Sequence, residues 1–175
     1  MTGHDRPYDV ELCSAIAIPG VQYHTELQHY HVPGTVHYDT SPPVGGDHSA
    51  LWANCTGNVY AQPIANENAV HMLEHGAVWI TYNPQSLAPS EVAALAGYVH
   101  GVDYTALSPY PGLKAPISLQ AWGYQLFVDD PNDPRIAEFL ALLRHNPRTT
   151  PEPNVLCSDP YFDPSLSRPG HPQEP

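Results

Sequence analysis

Hydrophobic and polar positions alternate in several short runs of this chain, and the alternation predicts β-strands. In residues 21–38 histidines alternate with tyrosines and valines, a period of two that predicts a β-hairpin turning at Pro33 and Gly34. The mostly apolar run at 77–82 predicts a buried strand, which Asn83 and Pro84 end. Further strands are predicted at 58–61, 103–107 and 117–128, the last as a hairpin broken at Gly123.

Three segments carry helix start signals, and one of them also has a clear stop signal. Asn66 as N-cap and Gly76 as C′ residue bound a helix of about two and a half turns. Ser90 as N-cap begins a second helix that runs to about residue 100, and Asp133 as N-cap, followed by Pro134 at N1, begins a third that runs to about residue 145. Helices and strands are interspersed without a βαβ repeat. The pattern therefore predicts a compact single α+β domain, with a small mixed sheet flanked by about three short helices.

Twenty-one prolines in 175 residues suggest how the chain is organised. A chain of this length suits one domain with a hydrophobic core. We expect an N-terminal arm at 1–19, a metal-binding domain at 20–157 and an irregular, proline-rich tail at 158–175.

The charge balance limits the partners of this chain. Six Lys and Arg against eighteen Asp and Glu give a formal net charge of -12, which repels nucleic acid and anionic membranes. We therefore expect a small-molecule substrate and no nucleic-acid or membrane partner. The composition does not indicate the oligomeric state. The beginning of the chain has no apolar run of the signal-peptide type, which favours a cytoplasmic location.

The candidate chemistry is centred on His71 and His75. Four residues apart on a helix, two imidazoles share one face and can bind one metal ion, although an exposed helix face carries such pairs as well. His48 is the expected third ligand, because it ends a constrained loop. The prolines of this loop fix φ, and its two adjacent glycines allow positive φ. His31 and Met72 are further ligand candidates, and a thioether near imidazoles favours Cu(I).

Glu74 opens a second interpretation of the same segment. His71-x-x-Glu74-His75 matches the H-x-x-E-H pattern of zinc peptidases, in which the glutamate is the general base. Those enzymes need a further acidic ligand downstream, and no segment of this chain looks prepared to supply one.

Three cysteines, at positions 13, 55 and 157, show no CxxC spacing. Two alternatives stay open: free or buried thiols, and one long-range disulfide between Cys55 and Cys157 that ties the tail to the domain.

A combination of motifs resembles an actinobacterial family of unknown function, of the DUF3105 type. The motifs are Tyr38-x-x-x-Pro42-Pro43-Val44-Gly45-Gly46-Asp47-His48, Trp52-x-Asn54-Cys55, Asn66-Glu67-Asn68-Ala69-Val70-His71-x-Leu73-Glu74-His75-Gly76-Ala77-Val78-Trp79-Ile80-Thr81-Tyr82, Leu107-Ser108-Pro109-Tyr110-Pro111-Gly112-Leu113 and Ala121-Trp122-Gly123. The resemblance implies an association with copper and an extracytoplasmic location, because members are usually membrane-anchored or secreted. It also implies matching cysteines at 55 and 157. This chain departs from the family because its N-terminus lacks the membrane segment. It also has Met72 where a small residue is more usual, and Cys13 is an additional cysteine.

Together these observations predict a copper-dependent oxidoreductase that acts on a small molecule through a mononuclear site. The metal ligands are His48, His71 and His75, and Glu74 and Tyr82 are the catalytic candidates. Trp122 and Tyr124 are aromatic candidates for a substrate pocket. The alternatives are a non-catalytic copper carrier and a zinc hydrolase, with zinc in place of copper.

Overall fold

The computed structural model describes residues 17–175, and within that range it shows one mixed sheet of six strands and three α-helices. The strands are β1 (Gln22–Tyr23), β2 (Thr56–Val59), β3 (Val78–Tyr82), β4 (Thr105–Pro109), β5 (Ile117–Ala121) and β6 (Tyr124–Val128). The helices are α1 (Asn66–Glu74), α2 (Pro89–Val99) and α3 (Pro134–Leu143). The predicted α+β class is confirmed. Most of the predicted arm at 1–19, with Cys13, lies outside the described residues.

The strand order in the sheet is β1-β6-β5-β3-β4-β2. Strand β4 runs parallel to both β2 and β3, and the remaining pairs are antiparallel. A parallel pair needs a crossover, which α2 provides between β3 and β4. The hairpin predicted at 117–128 is confirmed as β5 and β6, with Gly123 at a φ of 81° in its turn.

The two faces of the sheet bury different helices. Val78 and Ile80 of β3 pack in one core cluster with side chains of α2 and α3. Trp79, between them in sequence, packs in a second cluster with Met72 and Leu73 of α1. This alternation follows from the period of two along a strand. Helix α1 therefore lies on the opposite face from the other two helices, and all its residues after the first are buried.

The predicted helices are confirmed, with shifted beginnings at α1 and α2; the N-cap of α2 is Ala88 rather than Ser90, because Pro89 is already its first helical residue. Gly76 follows α1 with a φ of 106°, and its N–H donates to the carbonyl of Leu73, as expected of a C′ glycine. The N-cap is Ala65 rather than Asn66, because Ala65 is the residue with extended backbone and Asn66 is already helical. Asp133 caps α3 as predicted, accepting the Arg135 backbone N–H at 2.9 Å. No helix within residues 17–175 combines the length and apolarity needed to cross a bilayer.

The hairpin predicted within 21–38 is wrong. Gln22 and Tyr23 pair with β6 instead, and His31 forms an isolated parallel bridge with His48. Backbone groups of residues 21–38 form hydrogen bonds with other parts of the chain. The alternating pattern therefore describes an extended segment, here called the covering segment, rather than two paired strands.

A disulfide joins Cys55 to Cys157, with their Cα atoms 4.9 Å apart. Residues 158–175 contain no helix or strand, yet Phe162 is buried in the core beside α1. Near the end of the tail, Gln173 exchanges backbone hydrogen bonds with the side chain of Asn68. The domain limits at 20–157 stay a prediction.

Candidate metal centre

Helix α1 carries an unusual set of buried polar side chains. His71, Glu74 and His75 are each no more than 3% exposed. The helical spacing brings the rings of His71 and His75 to 4.6 Å between centroids. Burying polar groups costs free energy unless they are paired, so the partners of these side chains decide what the helix does.

The loop that precedes β2 delivers His48 to the same region. Its backbone N–H donates to the carbonyl of Tyr30 and its carbonyl accepts from Val32, which fixes the loop against the covering segment. The His48 side chain is fully buried, and its ring lies 4.6 Å from the His71 ring. The loop thus brings an imidazole to the helix, as the proline and glycine pattern predicts.

Each of the three buried imidazoles uses its Nδ1 on a backbone carbonyl. The His48 Nδ1 lies 2.8 Å from the oxygen of Gly46, the His71 Nδ1 lies 2.7 Å from that of Ser49, and the His75 Nδ1 lies 3.2 Å from that of Leu156. A carbonyl only accepts, so Nδ1 carries the proton in all three rings. In the neutral imidazole the Nε2 atom is then a free lone pair, which is how metal-binding histidines are oriented.

The carboxylate of Glu74 faces these lone pairs. Its Oε2 lies 2.9 Å from the His48 Nε2 and 4.0 Å from the His71 Nε2, and its Oε1 lies 3.2 Å from the Nδ1 of His29. Among residues 17–175, neither Glu74 oxygen nor the His48 Nε2 has a hydrogen-bond partner. Buried acceptors this close to one another need a shared proton or a bound metal ion between them.

The electrostatic environment keeps His71 and His75 neutral. Burial, with the neighbouring His75 and His48, lowers the pKa of His71 to about 2. Burial also lowers the pKa of His75 to about 4, although Glu74 and the Leu156 carbonyl raise it. A neutral imidazole is the form that binds a metal ion, so these two ligands need not lose a proton first at neutral pH.

The side chains form two overlapping groups of converging ligand atoms. The inner group is His31, His48, His71 and Glu74, and the outer group is His71, Glu74, His75 and Glu152. Within each group the ligand atoms all lie within 4.8 Å of one another. The predicted ligands His48, His71 and His75 are thus brought to one region, but His48 and His75 belong to different groups. His31, a secondary candidate in the sequence, is an exposed member of the inner group.

Two further candidates from the sequence lie outside these groups. Met72 is fully buried in the core cluster against Trp79. Tyr82 ends β3 and packs with the cluster on the opposite face of the sheet from α1. The structure therefore does not bring Tyr82 to Glu74, and its catalytic role stays a prediction.

Sequence reasoning missed three side chains near the groups. His29 contacts Glu74, Glu152 contacts His75, and the Trp52 ring packs against the rings of His71 and His75. Trp52 lies within the motifs quoted above, which is a signal that was available. His29 was counted only as part of an alternating pattern, and Glu152 lies in a proline-rich segment that gave no signal.

A cleft of about 420 Å³ opens beside the inner group. His29 and Trp122 line it, together with Tyr23, His24, Thr25, Glu26, Leu27, Gly123, Tyr124, Arg148, Thr149, Thr150 and Pro151. The Trp122 ring stands edge-on to the His48 ring, 6.3 Å between centroids. The hydroxyl of Tyr124 and the Nε2 of His24 are buried without hydrogen-bond partners in the described part of the chain. The cleft therefore combines aromatic walls with polar side chains, as small-molecule sites do.

Comparison with known proteins gives one match. The model of a family described as "Protein of unknown function (DUF3105)" matches residues 29–159, more than half of the chain. All members of the inner and outer groups fall within that range. No curated protein and no solved structure was found to match the chain.

Proposed function

The chain belongs to the DUF3105 family, and from that premise we propose that it is a copper-dependent oxidoreductase that acts on a small molecule in the cleft lined by His29 and Trp122. The observation that carries the proposal is the buried approach of the His48 Nε2 to the Glu74 Oε2 at 2.9 Å, with no donor between them. A metal ion bound by the inner group would remove this conflict. When bound, copper supplies a one-electron redox change and dioxygen serves as the final oxidant.

The donor set supports copper as the ion. The inner group offers three imidazoles and one carboxylate. Imidazole nitrogen suits copper and zinc alike, and copper(II) stands highest in the affinity order of the divalent first-row metals. Because the Nδ1 of His48 and of His71 each donate to a carbonyl, these rings cannot turn to present the other nitrogen without losing a hydrogen bond.

The residues around the ion have separate tasks in this proposal. Trp122 separates the cleft from the His48 ring and gives a flat apolar wall for an unsaturated or aromatic substrate. His29 is 61% exposed and contacts the Glu74 Oε1, so it connects that oxygen with solvent and can pass a proton between them. Glu74 thus binds the ion through Oε2 and exchanges a proton through Oε1.

A copper carrier is the second candidate function, and one observation favours it. His31 is an exposed member of a group whose other three members are buried. A ligand at the surface can be the first to bind an incoming ion and the last to release it. Turnover separates the two functions, because a carrier binds copper without consuming oxygen.

Metal analysis and electron paramagnetic resonance of the purified protein test the proposal. We expect copper(II) bound with nitrogen hyperfine structure, and at least about a tenfold loss of affinity in His48→Ala and in His71→Ala. The control is His100→Ala, an exposed histidine after α2. With ascorbate as reductant, the copper form should consume oxygen and the zinc form should not, since zinc has no redox change. Copper affinity that is equal in all four proteins would refute the site. Tight binding without oxygen consumption would favour the carrier, and peptide hydrolysis by the zinc form would favour the hydrolase.

A further inference from the structure

The inner and outer groups together contain more ligands than one ion uses. They include four imidazoles and two carboxylates, whereas a tetrahedral ion takes four ligands. Only His71 and Glu74 belong to both groups. The surplus means that a single ion bound by the inner group leaves His75 and Glu152 without a role.

The positions of the rings separate the two groups in space. The His71 ring lies 4.6 Å from the His48 ring and 4.6 Å from the His75 ring. The ligand atoms of His48 and His75 do not fall in one group of atoms within 4.8 Å of one another. An ion bound by both His48 and His71 therefore does not reach His75 at bonding distance, and an ion bound by His75 lies elsewhere.

Backbone contacts hold the outer ligands in place. The backbone N–H of Glu152 donates to the carbonyl of Glu74 at 3.0 Å, which places the Glu152 side chain beside the end of α1. Its Oε2 lies 3.5 Å from the Nε2 of His75. The Nδ1 of His75 donates to the Leu156 carbonyl, next to the disulfide at Cys157, so its Nε2 faces the carboxylate as a lone pair. Two potential ligand atoms thus face each other at the outer group as well, here with the carboxylate half exposed.

We propose that Glu74, His75 and Glu152 of the outer group form a second site for a divalent transition metal ion, with the Glu74 carboxylate shared between the two ions. His71 stays with the inner ion, because its Nδ1 donates to the Ser49 carbonyl and its single Nε2 lone pair binds one ion. This inference rests on the proposed function for the inner ion and adds to it a two-ion centre. Mixed nitrogen and oxygen ligands suit copper(II) and zinc(II). Two ions that share ligands lie about 3.5–4 Å apart in proteins, close enough for two copper(II) spins to couple.

Titration of the metal-free protein with copper(II) against a competing chelator tests the second site. Wild type should bind two ions for each chain, and the electron paramagnetic resonance signal of the first should weaken or broaden as the second binds. Glu152→Gln should bind one ion and keep the uncoupled signal at saturation. Glu152 is half exposed, so the variant should fold normally. Glu138→Gln on α3 is the matched control, because it removes an exposed carboxylate away from both groups.

The possible results distinguish the two proposals. One ion in wild type, with nitrogen hyperfine structure that His48→Ala abolishes, overturns the second site and leaves the proposed function intact. Two ions in both wild type and Glu152→Gln overturn the assignment to the outer group. No specific binding in wild type refutes both proposals.

Discussion

The Nε2 of His48 lies 2.9 Å from the Oε2 of Glu74, and both side chains are buried. The His48 Nδ1 carries the ring proton because it donates to the Gly46 carbonyl. The Nε2 therefore faces a carboxylate oxygen at hydrogen-bond distance, and this contact is favourable only where a proton or a metal ion is shared between the two atoms.

Glu74→Gln should raise the stability of the metal-free protein and lower its affinity for copper. The amide nitrogen can donate to the His48 Nε2, so the metal-free variant should gain about 1 kcal/mol in free energy of unfolding. Copper affinity should fall by at least about tenfold, since a charged ligand is lost. Urea unfolding and copper titration measure the two effects, with Glu138→Gln as the control. A variant that is less stable than wild type without metal would show that Glu74 already has a donor.

The stability of the metal-free protein should fall as the pH falls below about 6.5. The folded pKa is lowered to about 4 for His75 and to about 2 for His71, while the unfolded residues keep a value near 6.5. The unfolded chain therefore takes up protons first, and each histidine contributes a slope of about 1.4 kcal/mol per pH unit between its two pKa values. His75 contributes down to about pH 4, and His71 contributes further down.

Urea unfolding at several pH values checks this dependence. His75→Gln should remove its share of the slope between about pH 6.5 and about pH 4, whereas His100→Gln, at an exposed position, should not. An unchanged slope in His75→Gln would mean that His75 is already protonated in the folded protein. His31, His48 and Glu74 also affect the pKa values of these rings, so the test compares the slope of each variant with the slope of wild type.

Removing the disulfide should destabilise the protein strongly. Cys55 and Cys157 are 102 residues apart, and under the chain-entropy model a loop of that length contributes about 5 kcal/mol. The double variant Cys55→Ala/Cys157→Ala should lose this amount in guanidinium unfolding, and a reductant should affect wild type but not the variant. Mass mapping of unreduced peptides should find the two cysteines linked. Alkylation of both thiols without reductant would contradict the bond.

Asn68→Ala should release the C-terminal tail. The Asn68 side chain donates to the carbonyls of Leu51 and Gln173 and accepts from Ser167 and from the backbone of Gln173. Losing these bonds leaves buried partners unsatisfied, at a cost of about 2–3 kcal/mol. Limited proteolysis should then cleave residues 158–175 faster than in wild type.

The matched control for this change is Asn66→Ala, at the partly exposed first residue of the same helix. Its effect on the free energy of unfolding should stay within about 0.5 kcal/mol. Equal protease resistance of the tail in Asn68→Ala and Asn66→Ala would show that the tail is held by other contacts, such as the buried Phe162.

Local signals in the sequence were reliable for the elements that carry them. Gly76 ends α1, Gly123 turns the hairpin of β5 and β6, and Asp133 caps α3, each at the place where the residue type favours it. The hairpin predicted for residues 21–38 was wrong, because alternation of polar and apolar residues indicates an extended chain but does not indicate the strand with which it pairs. Its partners, β6 and His48, are distant in sequence.

The sequence by itself determined which chemical groups α1 presents, because helical spacing alone places His71, Glu74 and His75 along one side of the helix. Only the tertiary structure decided how these groups combine with others. His48 lies on the loop before β2, and His31 lies on the covering segment. Glu152 lies in the segment that the disulfide at Cys157 holds. The physical reason is that a metal site depends on the meeting of side chains from distant segments, and their approach is set by packing and by backbone hydrogen bonds that leave no periodic pattern in the sequence.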